Sequence, residues 1–196
     1  AVALGVAPND IAGTWGKAQG NPNPSRPVSR DKAPVKDVVI KAPDLGDGVD
    51  RFPHLISTPG FDPAPFITAG VWVTRDPENG DYNLGIYRGM IGGRDILPLL
   101  LWRAQNWGVH FQKWTERGEN MPVAHVYGWE PCMGFCASAP VPTGISEYEV
   151  MGAIRGEPVP LVKCETVDLW VPADAEMVVE GYIDPDPDTF RDEGPF

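Results

Sequence analysis

Ile67-Thr68-Ala69-Gly70-Val71-Trp72-Val73, then Asp76-Pro77-Glu78-Asn79-Gly80-Asp81, then Asn83-Leu84-Gly85-Ile86-Tyr87-Arg88 is the stretch whose reading decides the fold. The first segment alternates and is rich in β-branched and aromatic residues, so it reads as a strand. The second is turn chemistry throughout, with Asn79-Gly80 suited to positive φ. Residues 83–91 then return as the second arm of a hairpin.

The rest of the chain has the same grain. Residues 38–40 and 123–127 read as strands, as do 161–163, 167–171 and 177–182, with Pro and Gly between them. The apolar run 97–102 is a core segment by its length. Trp107, Phe111 and Trp114 have helical spacing, and that helix stops near Gly118. Ser146 with Glu149 three residues on predicts a helix over 146–155 opened by a capping box. Residues 16–34, rich in Gly, Pro, Asn and Ser, read as an extended arm. Many short strands, few helices and no regular βαβ alternation predict an α+β protein built on an antiparallel β-barrel.

The chain has 196 residues and a formal net charge of -11, from 16 Lys+Arg against 27 Asp+Glu. That balance argues against nucleic acid or an anionic membrane as a partner, since either needs a basic stripe. No apolar run reaches the ~20 residues of a membrane span, and Ala1 opens no signal-peptide pattern. Cys132, Cys136 and Cys164 form no disulfide framework and read as free, largely buried thiols of a reducing compartment. The chain does not start with Met, and reads as a piece of a longer protein.

Four polar groups stand out on these apolar segments: Asn83, Arg88, Glu147 and Glu193. Each is costly to bury unless it pairs or holds a ligand. From composition alone, Arg88 is a surface arginine whose stem covers apolar neighbours. Glu147 and Glu149 are likewise a solvated first helical turn favoured by the dipole.

The wording of these segments resembles one family, the UbiD-type decarboxylases and carboxylases that use prenylated FMN. Asp76-Pro77-Glu78-Asn79-Gly80 followed by Asn83-Leu84-Gly85-Ile86-Tyr87-Arg88 is similar to that family's signature. The likeness continues through Pro140-Val141-Pro142, Ser146-Glu147-Tyr148, Gly152-Ala153-Ile154-Arg155-Gly156-Glu157-Pro158 and Leu161-Val162-Lys163-Cys164 to Glu193-Gly194-Pro195-Phe196.

The resemblance implies a split antiparallel β-barrel of flavin-reductase-like form with a few flanking helices, over residues 37–196. Residues 1–36 are then an extended arm or the remnant of an N-terminal domain, and the C-terminal oligomerisation domain is absent. It implies a cytoplasmic carboxy-lyase for the reversible, non-oxidative decarboxylation of an aromatic or α,β-unsaturated carboxylic acid. Asn83 and Glu147 inherit a divalent metal, Mn or Mg, on the cofactor phosphate, with an additional alkali cation as a further option. Arg88 and Glu193 inherit the catalytic Arg/Glu network. Ile86, Tyr87, Arg88, Leu101, Trp102, Gln105, Asn106 and Ser138 inherit cofactor contacts.

Two departures from the family pattern matter. Some branches carry a metal-binding histidine after the 97–102 segment, where this chain has Arg103-Ala104-Gln105-Asn106. His110 then reads as a helix-face histidine, and His54 and His125 have no visible partner. The sequence also stops at Phe196, before the Gly and acidic residue that continue the motif. The isolated chain is therefore expected to be inactive and to work in a longer polypeptide, a homo-oligomer or a multi-subunit complex. A non-catalytic cofactor-binding subunit and an unrelated FMN-binding reductase barrel stay open as alternatives.

Overall fold

The hairpin forms as its sequence dictates. In a computed structural model describing residues 2–194, β3 (Val71–Arg75) and β4 (Tyr82–Ile86) run antiparallel, with Val71 opposite Ile86 and Arg75 opposite Tyr82. Gly80 closes the turn at φ 83°, its N–H donating to the Asp76 carbonyl at 3.0 Å. A left-handed residue there costs a side chain strain that glycine avoids. Before this hairpin lie α1 (Ile11–Gly20), β1 (Arg26–Pro27) and β2 (Phe66–Ile67). After it come β5 (Gly89–Met90), α2 (Asn106–Glu116), β6 (Met121–Tyr127), α3 (Pro131–Ser138), α4 (Glu147–Arg155), β7 (Pro160–Lys163), β8 (Trp170–Pro172) and β9 (Met177–Ile183).

Among the described residues the strands form three sheets: β4-β3-β6-β9, all antiparallel; β2-β5, antiparallel; and β1-β7-β8, in which β1 runs parallel to β7. The architecture is α+β, as expected, but these sheets do not join into a closed barrel.

Both faces of the four-stranded sheet are covered. Val71, Val73, Leu84, Ala124 and Val126 face the core shared with α3 and α4, where Val150, Met151, Cys132 and Cys136 pack. The alternate residues face α2: Trp72 packs with Trp107, and the Thr74 hydroxyl meets His110 Nδ1 at 3.0 Å. Full burial of one aliphatic side chain such as Val73 stabilises by roughly 1.5–3 kcal/mol. The thiols of Cys132, Cys136 and Cys164 are free and buried, as read.

His125 is fully buried in β6, its ring stacked on Trp72 with centroids 4.0 Å apart and set against the Gly70 backbone. Gly70 makes room for it. A Cβ there would fall 2.0 Å from His125 Nε2.

Several expectations are corrected. Residues 38–40 form no strand: with no neighbour to pair, their β-branched side chains stay exposed or partly exposed. Within the expected arm, Ile11–Gly20 is helical despite Gly13 and Gly16, because α1 packs on α4 and buries Ala18. α3 follows β6 directly, with Pro131 at its start. It is apolar nearly all round, so it shows no periodic signal. His54 has a partner, its Nε2 lying 2.8 Å from the Val49 carbonyl, whereas His110 lies on a helix as expected, on the buried side of α2.

Candidate functional site

β4 is an edge strand, and the site is built around it. Strand alternation sends Leu84 and Ile86 toward α3 and α4, and Asn83 and Tyr87 to the α2 side. The Tyr87 ring folds back over Gly85, where a Cβ would lie 2.3 Å from its ring carbon. This explains glycine between Leu84 and Ile86: any larger residue displaces the tyrosine.

α4 brings Glu147 to the outer edge of β4. The capping box is present: Ser146 Oγ accepts from the Tyr148 N–H, and the Ser146 N–H donates to Glu149 Oε2, both at 3.3 Å. Gly156 ends the helix at φ 77°. The cap fixes where the first turn starts, so Glu147 points at the strand. Its Oε2 accepts the outward Leu84 N–H at 3.1 Å, which also covers a donor that an edge strand leaves open.

Glu147 is 5% exposed and has no ion-pair partner among the described residues. Burial pushes its carboxyl from 4.5 up to about 7, against the pull of the Leu84 N–H and its own backbone. Asn83 is 4% exposed, and its amide faces the Tyr87 phenol. A buried carboxylate without a cation suits a hard cation bound through oxygen, and the Asn83 amide oxygen is a donor atom of the same kind. No group of three or more His, Cys, Asp or Glu side chains is placed for a metal among the described residues.

Tyr87 joins this pair to α2. Burial raises its phenol above 10, Asn83 pulls it back, and the charge of Glu147 adds to the rise. Its ring stacks on Trp107 at 3.8 Å and 9°. The Trp107 indole N–H donates to Gln105 Oε1 at 3.1 Å, so the start of α2 is tied to the tyrosine. Gln105 and Asn106 are exposed at that helix N-terminus. Cys136, fully buried in α3, has its thiol pushed up to about 12 by burial, with the charges of Cys132 and Glu147 adding to the rise.

Arg88 follows β4 and meets Glu193 across 105 residues of sequence. Its Nε lies 2.6 Å from Oε1 and its Nη2 3.1 Å from Oε2, a two-pronged pair. The Glu193 side chain is 3% exposed and that of Arg88 is 37% exposed.

The structure thus brings Arg88 to Glu193, and Glu147 to the backbone of Leu84, the residue after Asn83. Ile86 is half-buried against the main core, and Leu101 against Trp72 and Trp107. Trp102 is 62% exposed just before α2. Ser138 ends α3, with its hydroxyl donating to the Gly134 carbonyl at 2.8 Å. Pro195 and Phe196, the end of the expected motif, lie outside the described residues. Trp107, read only as a helix-face residue, and Phe66, which is stacked on Arg88, belong to the site as well. The closeness of Trp107 to Gln105 was the sequence signal for the first; Phe66 had none.

The family model for the UbiD 3-octaprenyl-4-hydroxybenzoate carboxy-lyase Rift-related domain matches residues 26–196. An uncharacterized protein of Archaeoglobus fulgidus is 40% identical over 172 residues, covering 87% of this chain and 34% of that protein. Among solved structures, an evolved dimeric form of the UbiD-class enzyme HmfF from Pelotomaculum thermopropionicum, in complex with prFMN, superposes with a TM-score of 0.91 at 34% identity, over 100% of this chain and 44% of that one. The closed form of vanillic acid decarboxylase from Sedimentibacter hydroxybenzoicus gives 0.85 at 29% identity, over 94% and 41%. The chain therefore spans between a third and a half of the length of these relatives.

Proposed function

Because the chain belongs to the UbiD carboxy-lyase family, we propose that it is the prenylated-FMN-handling part of an enzyme for reversible, non-oxidative decarboxylation of an aromatic or α,β-unsaturated carboxylic acid. The observation that carries this reading is the Arg88–Glu193 pair, set five residues along the chain from Asn83 and close to Leu84, whose N–H is bonded to Glu147. Decarboxylation needs a cation for the substrate carboxylate and a carboxyl group able to take part in proton transfer. The pair supplies both within hydrogen-bond reach of each other.

Asn83 and Glu147 would hold a divalent cation, Mn or Mg, against the cofactor phosphate. Their side-chain oxygens would suit a hard cation of this kind. When bound, the prenylated flavin supplies the carbon centre that stabilises charge as carbon dioxide leaves. The chain's part is to bind and orient. Ile86 and Tyr87 would form one wall, with Leu101 and Trp102 another. Gln105 and Asn106, at the N-terminus of α2, would face the phosphate, where helix N–H groups favour an anion. Ser138 would border the pocket.

In the same reading, β4-β3-β6-β9 and β2-β5 belong to the family's split barrel, over residues 37–196. The enzyme is cytoplasmic, and the chain acts within a longer polypeptide or assembly. No helix among the described residues is long and apolar enough to cross a membrane.

The test is carboxyl exchange. The natural polypeptide, co-produced with a flavin prenyltransferase, is incubated with aromatic and unsaturated acids in labelled bicarbonate. Label should enter the carboxyl group of a cognate acid, and Arg88→Ala should stop it. Prenylated flavin bound with no exchange across the panel would refute the reading.

A further inference from the structure

Among the described residues, the Arg88 guanidinium meets Glu193 and Phe66. Its edge grips Glu193 through Nε and Nη2. Its Cζ lies over the Phe66 ring, 4.8 Å from the ring centroid. Phe66 is 6% exposed and sits in β2, whose Ile67 is opposite Gly89 and whose Phe66 is opposite Met90. The strand that carries the ring is thus paired with the strand that begins one residue after Arg88. On the other side, the Tyr87 carbonyl accepts the Trp72 indole N–H at 2.9 Å. The backbone at Arg88 is pinned before and after.

That leaves the side-chain torsions. An arginine fork makes two bonds to a carboxylate only when both groups are coplanar. A ring beneath the guanidinium plane removes the rotation that breaks this geometry, and its electron-rich face attracts the cation. A leucine of similar bulk fills the space but presents no face.

We infer that Phe66 is the positioning residue for Arg88: its ring sets the guanidinium plane that makes the two-pronged contact with Glu193. This rests on the functional reading above only for its effect on turnover. The clamp itself is a property of the chain.

The test has two arms. The first follows the Arg88 Nε–H by NMR in the chain without cofactor, the signal being assigned by its absence in Arg88→Lys. In the unsubstituted chain and in Phe66→Tyr it should be resolved and slow to exchange. In Phe66→Leu, or Phe66→Met if the leucine variant does not fold, exchange should speed up by about fivefold or more. Slow exchange retained in a folded, non-aromatic variant overturns the inference. The second arm measures turnover of the natural polypeptide with cofactor. Phe66→Leu should lower kcat about fivefold with KM moved less than about twofold, and Phe66→Tyr should restore it. A change confined to KM also overturns it. A polypeptide that shows the NMR signature yet no exchange activity refutes the functional reading and leaves the clamp standing.

Discussion

Replacing Glu147 by Gln keeps the shape of the side chain and its acceptor for the Leu84 N–H, but removes its proton. Burial raises this carboxyl from 4.5 to about 7 in the folded chain. At about 1.4 kcal/mol per unit, the fold carries a penalty of roughly 3 kcal/mol for the ionised form. The shift is upward, so the group's contribution to stability is fully present below pH 4.5 and is lost as pH rises through about 7. A glutamine has nothing to lose over that window. In urea denaturation with a chelator present, Glu147→Gln should match the unsubstituted chain near pH 4.5. Near pH 8 it should exceed it by about 2–3 kcal/mol, allowing for burial of the amide. Excess manganese should close that gap by stabilising only the carboxylate form, by about 2.7 kcal/mol at a hundred times its Kd. An advantage that does not change with pH, or equal stabilisation of both proteins by manganese, would refute the reasoning.

The remaining predictions use the same logic. Burial pushes His125 from 6.5 down to about 3, so its contribution is full above pH 6.5 and lost as pH falls toward 3. His125→Phe should abolish up to about 1.4 kcal/mol per pH unit of acid sensitivity in that window, read from stability against pH. Arg88→Ala strands the Glu193 carboxylate, 3% exposed, and should cost about 2–3 kcal/mol near neutral pH, below the full cost of breaking a buried pair because Arg88 itself is partly solvated. Glu193→Gln in the same chain should recover most of that loss, as measured by thermal denaturation.

What was legible in the sequence was local. The β3–β4 hairpin rests on alternation and a Gly80 turn, and the start of α4 on Ser146 and Glu149; both signals lie within a few residues and both elements formed. Elements made by partners were not legible. α1 contains Gly13 and Gly16 and depends on its contact with α4, whereas residues 38–40 have strand composition but no strand to join. The site divides in the same way. Asn83, Tyr87 and Arg88 share one short segment, so their grouping could be read. That Glu147 and Glu193 reach them came from resemblance to a family, since contacts across 63 and 105 residues leave no trace in spacing. The stacking of Trp107 on Tyr87, and of Phe66 on Arg88, depends on tertiary placement alone.

The central claim is that Asn83 and Glu147 hold the flavin through a divalent cation. It is tested most directly by purifying the chain after co-production with a flavin prenyltransferase and measuring flavin by absorbance and bound metal by elemental analysis. The unsubstituted chain should retain flavin and Mn or Mg in equal amounts. Asn83→Ala and Glu147→Ala, each folded by circular dichroism, should lose both together. Flavin retained undiminished in a metal-free Glu147→Ala chain would contradict the account.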